Sequence, residues 1–237
     1  MKYRGFLLPP LITGKLIKRY KRFLADIELE TGEKVTAHCP NSGSMKGCAI
    51  PGSQVWLSES DNSKRKYKYT WELIKAPQTL IGINTQVPNK LVKQAIENDL
   101  IEELSGYENI KAEVKTSSHT RLDLLLEKED KKKCYVEIKN CTLVENGVAM
   151  FPDAVTTRGQ KHLDELERLV LEGHRGVIFF LIQRMDANLF KPAAMIDKVY
   201  AQKLKKVTEN GVEIIVRDTM IDTKMITVRN CLPVDLN

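Results

Sequence analysis

No run in this 237-residue sequence approaches the ~20 consecutive apolar residues that a membrane span requires. The stretch Phe6 to Ile12 is apolar, but it is short and Pro9-Pro10 interrupts it, so neither a span nor a signal peptide is expected. There is no internal repeat and no low-complexity tract. Cysteine is sparse: Cys39, Cys48, Cys134, Cys141 and Cys231 are odd in number and show no Cys-x-x-Cys spacing. That pattern fits neither a disulfide framework nor a thiolate metal site, and it points to reduced thiols in a cytoplasmic protein. What remains is ordinary for a folded chain. Hydrophobic residues make up 42% and charged residues 29%, enough for a core and a polar surface, and the length allows one or two domains.

The net charge of +6 is unevenly spread. Residues 1–80 hold 14 Lys+Arg against 7 Asp+Glu, a net +7, which leaves 23 basic against 24 acidic residues in 81–237. A basic module joined to a near-neutral one suits a polyanion-binding domain attached to a second domain. A lysine-rich surface with no partner would carry the same charge.

The first third reads as β-strands: Gly14–Tyr20, Arg22–Glu30, Lys34–Cys39, Gln54–Glu59 and Lys66–Ile74. Thr31-Gly-Glu33 marks a hairpin turn, Asp61 to Arg65 another, and Asn41 to Gly47 a Gly/Ser loop. Five short strands with such turns predict a small OB-like barrel, a fold that grips nucleic acid with basic grooves and aromatic platforms. Its cations are Arg4, Lys15, Lys18, Arg19, Lys21, Arg22, Lys64, Arg65, Lys66 and Lys68. Its rings are Tyr20, Phe23, Trp56, Tyr67, Tyr69 and Trp71, each either a stacking platform or core.

From about residue 76 the pattern changes. Helical spacing runs from Asn89 to Leu104, Thr156 to Gly173 and Ala193 to Glu209. Strands are expected at Ile110–Lys115, Thr120–Glu127, Cys134–Thr142, Gly176–Ile182, Val212–Arg217 and Met225–Val228. The continuous apolar run Gly176 to Ile182 suits a strand covered on both faces. The order predicts a mixed α/β sheet flanked by helices, with domains at 1–80 and 81–237.

The most informative feature is Asp123 followed by Glu137 and Lys139, an Asp-x13-Glu-x-Lys spacing across two strands and a charged connector, 127–133. In a strand, residues two apart share a face, so Glu137 and Lys139 point one way and Val136 and Ile138 the other. Folding the hairpin brings Asp123 beside them. Two carboxylates and a lysine on one face can hold a hard divalent cation and place an ammonium beside its water. The same spacing also describes a solvated strand face with a cross-strand ion pair. Charge on strands this apolar (Leu124, Leu125, Leu126, Val136, Ile138) is costly without a purpose, which favours the site.

Thr120-Arg-Leu-Asp123, Val136 to Leu143 and Phe151 to Leu166 together resemble the sugar fermentation stimulation protein A (SfsA) family. Phe6-Leu-Leu-Pro9 and Cys39 to Met45 fit it too, so the resemblance covers nearly the whole chain. A family Ser-Arg-x-Asp pattern stands here as Thr120-Arg-x-Asp, with the hydroxyl kept. The resemblance implies an N-terminal OB-like barrel, a C-terminal domain similar to PD-(D/E)xK nucleases, and DNA binding. Carried over by residue, Asp123 and Glu137 match the metal-binding acids, for Mg2+ or Mn2+, with the Ile138 carbonyl able to complete the set. Lys139 matches the catalytic lysine, and Gln160 the Gln that related nucleases carry near the site. A third acid is sought at Glu97, Glu102 or Glu103, with Glu102 and Glu103 preferred, or at Glu113.

Arg121, Arg158, Lys161 and His162 join the barrel cations as expected nucleic-acid contacts, the last three within the first turns of a helix, where a phosphate is favoured. His162 either donates to phosphate or packs against the sheet. Thr156 or Thr157 can serve as N-cap of that helix, and Asp153 too is expected to cap it rather than act chemically. The exposed strand edges of such folds often pair, which allows a homodimer. Three readings follow: a metal-dependent DNA hydrolase, a non-catalytic DNA-binding regulator of sugar-metabolism genes, and an α/β protein acting on a phosphorylated small molecule.

Overall fold

Backbone pairing sorts the chain into three sheets. The computed structural model describes residues 5–118 and 120–237; Arg4, one of the barrel cations expected above, lies outside them. The barrel comprises β2 (Leu11–Tyr20), β3 (Leu24–Leu29), β4 (Lys34–His38), β5 (Gln54–Glu59) and β6 (Tyr69–Lys75), with β7 (Leu80–Gly82) added alongside β6. The β4–β6 pairing, Ala37 to Tyr69 and His38 to Thr70, closes it. Alternation drives the closure: Ala25, Ile27, Val55, Leu57 and Trp71 all point into one core. Gly32, at φ 84°, makes the β3–β4 turn.

The second domain is built on a seven-stranded mixed sheet ordered β1-β16-β15-β13-β10-β9-β8. Its members are β1 (Phe6–Leu7), β8 (Asn109–Lys115), β9 (Arg121–Glu127), β10 (Cys134–Cys141), β13 (Arg175–Ile182), β15 (Glu213–Ile221) and β16 (Met225–Cys231). The central β10, β13 and β15 run parallel and are covered on both faces. One face packs against α1 (Val87–Glu97), with Val136, Ile138 and Phe179 in that core. The other packs against α2 (Thr157–Leu171) and α3 (Lys198–Glu209), with Ile178 and Phe180. Both helices end on glycines at positive φ, Gly173 and Gly211.

Several expectations shift. The first helix stops at Glu97 rather than Leu104. Asn98 caps it and Asp99 turns to φ 55°, so Leu104 reaches the core through a separate 3-10 turn at Glu102–Leu104. The third helix starts at Lys198, not Ala193, because Asp197 accepts the Tyr200 N–H and sets its N-terminus. A small sheet of β11 (Leu143–Glu145), β12 (Val148–Phe151) and β14 (Leu189–Pro192) is absent from the sequence pattern, since β12 and β14 pair only at long range. The opening strand β1 belongs to the second sheet, antiparallel to β16, not to the barrel. No helix among the described residues is long and apolar enough to cross a membrane. The five cysteines are free thiols, and all but Cys231 are buried.

Candidate active site

Strands β9 and β10 pair as an antiparallel hairpin through Cys134–Leu126, Tyr135–Leu125 and Val136–Leu124, and there the pairing stops. β10 continues beside β13 as far as Cys141. The two strands therefore fork, and Asp123 is the first residue past the split. Its carboxylate replaces the missing ladder partner. Oδ2 accepts the Ile138 N–H at 2.7 Å, and Oδ1 accepts Asn89 Nδ2 of α1 at 2.7 Å. Burial first, and the Glu137 charge second, push this carboxyl up to about 6, against the pull of those donors and Lys139.

Glu137 lies on the α2 side of β10 and is only 3% exposed. Its Oε1 accepts Lys139 Nζ at 2.6 Å and also His162 Nδ1. Burial alone would raise its pKa, but Lys139 and His162 outweigh it and hold the group low. Oε2 is buried without a hydrogen-bond partner. His162 Nε2 accepts Arg158 Nε–H at 3.3 Å, which leaves the proton on Nδ1, facing Glu137. Arg158, His162 and Glu137 thus form a line of hydrogen bonds from an exposed cation to a buried carboxylate. Tyr200, fully buried and within electrostatic reach of Glu137, has a hydroxyl with no partner.

Among the described residues no group of three or more His, Cys, Asp or Glu is gathered as a ready metal cage. The fork still fits a hard cation. The Glu137 charge raises the cost of ionising Asp123, one Glu137 oxygen is buried and orphaned, and both side chains offer oxygen ligands.

Asp123 is within electrostatic reach of Glu137 and Lys139 at the fork, although its carboxylate turns to Asn89 of α1 while Glu137 faces α2. Other expected residues lie elsewhere. Gln160 directs Nε2 to both oxygens of Asp197, each at 3.2 Å, and so ties α2 to the start of α3 instead of reaching the carboxylates. His162 is 5% exposed with both ring nitrogens engaged, so it is packed against the sheet and is not a phosphate contact. Asp153 does not cap α2. Thr156 does, accepting the Gly159 N–H, while Asp153 Oδ2 accepts Ser44 Oγ and the Met45 N–H of the barrel loop. A Cβ on Gly43 would meet that carboxylate at 2.6 Å, which explains glycine there.

The sought third acids are occupied or distant. Glu97 pairs with Lys93 and Glu103 with Arg217, and Glu102 sits on the 3-10 turn. The α1 residue that touches Asp123 is Asn89, missed because only acids were sought there. Glu113 lines the same groove as Asp123, beside Arg121 at 3.9 Å.

Most expected barrel contacts serve the fold. Arg19 Nη2 donates to the carbonyls of Arg22, Asn41 and Gly43, and Arg22 Nε to that of Ser42. Lys18 pairs with Asp26, and Arg65 donates to Thr70. Lys15, Lys21, Lys64 and Lys161 are exposed. Of the rings, Trp71 is core, whereas Phe23 is 47% exposed.

Comparison with known proteins agrees with this architecture. The family described as the sugar fermentation stimulation protein RE domain matches residues 86–225, and the SfsA N-terminal OB domain matches residues 17–83. A sugar fermentation stimulation protein homolog of Geotalea uraniireducens is 59% identical over 206 residues, 87% of this chain and 89% of that one. One from Geotalea daltonii is 52% identical over 231 residues, 98% of this chain and 100% of that one. A solved structure, Pyrococcus furiosus SfsA in complex with Ca2+, superposes with a TM-score of 0.89 at 28% identity, covering 98% and 99% of the two chains. With both domains matched in order and close relatives spanning almost its full length, the chain belongs to the SfsA family.

Proposed function

We propose that this protein binds DNA and hydrolyses phosphodiester bonds at the β9–β10 fork with Mg2+ or Mn2+. The observation that carries the reading is Asp123 within electrostatic reach of Glu137 and Lys139, with the second Glu137 oxygen buried and unpartnered. The Ca2+ complex of the P. furiosus relative supports a hard cation in this family. When bound, such an ion lowers the pKa of a water and offsets charge on the phosphoryl oxygens. The chain's own residues supply the rest. Asp123 and Glu137 hold the cation. Lys139 Nζ, beside Glu137, orients the attacking water and screens the developing charge. Arg158 and His162 fix the Glu137 carboxylate in place.

Purified protein with Mn2+ should cut a DNA substrate. Lys139→Ala and Asp123→Ala should abolish cutting and leave binding largely intact. Residual cutting that is equal in both variants and wild type would mean a contaminating nuclease and would sink the reading.

The second reading is a non-catalytic DNA-binding regulator of sugar-metabolism genes. One observation favours it: Lys139 and His162 both engage the same Glu137 oxygen, a salt-bridged arrangement that is nearly closed to solvent. Binding without any metal-dependent cutting would select it.

A further inference from the structure

The barrel's excess of lysine and arginine suggested that the barrel grips the polyanion, but its geometry argues otherwise. A cavity of about 630 Å3 on its surface is lined by Lys15 together with Glu28 and Glu30. Arg19, half-buried, and Arg22, exposed, are engaged by the carbonyls of the 41–43 loop. Unengaged cations and open space meet instead along α1.

A groove of about 580 Å3 runs between α1 and the β8–β9 strands, with Asp123 among its lining residues. Exposed Lys90 and half-exposed Lys93 stand on the α1 wall, with Asn89 between them and Asp123. Lys90 has no ion pair among the described residues, and Lys93 has only a long one, 3.7 Å to Glu97. Glu113, on the opposite wall, is faced by Arg121. Thr85 borders this groove and also a second cavity of about 290 Å3. That second cavity lies between the barrel residues Asn41 to Gly43 and the end of β10 at Asn140. Thr85 Oγ1 donates to the Pro40 carbonyl, so one residue both joins the two cavities and anchors the barrel loop.

The two cavities adjoin at Thr85, giving a channel of mixed polar and apolar lining with Asp123 in its α1 part and the barrel loop in the other. The groove's volume is in the range that encloses a drug-sized ligand and the second cavity falls just below it, which together is room for a few nucleotides and not for a duplex. Resting on the DNA-hydrolase reading, we propose that single-stranded DNA lies in this channel, its phosphates met by Lys90 and Lys93 as it passes Asp123. The barrel contributes the 41–43 wall rather than its cationic outer surface.

The test is binding of a fluorescein-labelled single-stranded DNA oligonucleotide and of its duplex form across a salt series, with no divalent metal. Lys90→Ala/Lys93→Ala should weaken single-strand binding and reduce the salt slope by about 1.4, about 0.7 for each phosphate no longer neutralised. Lys90→Arg/Lys93→Arg should restore it. Both sites are on the outer side of α1, so the variants should unfold at the wild-type temperature. A weakening equal to or smaller than that of Lys15→Ala/Lys64→Ala would overturn the channel and return binding to the barrel, with the DNA reading intact. Tighter binding of the duplex by wild type would overturn the single-strand assignment. No binding of either form by wild type would overturn the DNA reading and the channel together.

Discussion

The barrel and the fork use charge in opposite ways. In the barrel, cations sit at the periphery and donate to backbone carbonyls or surface acids, as with Arg19, Arg22 and Lys18. At the fork, charged groups are few and at least half-buried, and four donors meet only three of the four carboxylate oxygens, leaving Glu137 Oε2 unpartnered. Exposed pairs contribute little because water screens them, while a buried imbalance is costly and persists only where something requires it. Counting lysines therefore located the basic third of the chain but did not separate the engaged side chains, such as Arg19, from the exposed ones, such as Lys15.

Five substitutions, one of them followed through an acid titration, break or sharpen this contrast. Glu137→Ala removes the common acceptor of Lys139 and His162 and leaves a largely buried ammonium unpaired. It should destabilise the protein by about 3–5 kcal/mol in urea unfolding. A loss no greater than that of a surface variant would mean the fork is solvated after all. Arg19→Ala frees the carbonyls of Asn41 and Gly43 and should cost about 2 kcal/mol. It should affect DNA binding less than Lys90→Ala/Lys93→Ala does.

Asn89→Ala leaves Asp123 Oδ1 without its donor. Mn2+ affinity measured by calorimetry should fall about 10–100-fold with only a small change in stability. Asp197 gives a pH test. Burial raises its pKa, but the N–H groups of Thr156 and Tyr200 and the Gln160 amide outweigh that and hold it below its ordinary value of 3.8. The folded form therefore favours the carboxylate. Its stabilisation is complete above the unfolded pKa and is lost as pH falls through the lower folded one. Asp197→Asn should cost about 1 kcal/mol at neutral pH, and the gap to wild type should close in acid unfolding below pH ~4. The smallest effect is expected at Lys15→Ala, within about 0.5 kcal/mol.

The hairpin was legible because its rule is local. Alternation from Cys134 to Lys139 fixes which side each residue faces, and the charged connector fixes the pairing. The barrel strands were legible for the same reason. What escaped depends on partners far apart in sequence. Gln160 finds Asp197 only because α2 and α3 pack side by side. Asp153 finds the 44–45 backbone only because the barrel is docked against β12. The end of α1 escaped for a local reason: apolar spacing continues past Glu97, while the chain turns at Asn98-Asp99 and resumes as a 3-10 turn.

The short pairing of Phe6–Leu7 with β16 has a mechanical outcome. The chain is stitched to the larger sheet before it enters the barrel and returns to that sheet's territory when it leaves through α1. The barrel is thus a loop pinned at both feet. Swinging it away would require peeling the first strand as well as flexing the exit, so the barrel is tethered to the larger sheet on both sides of its path.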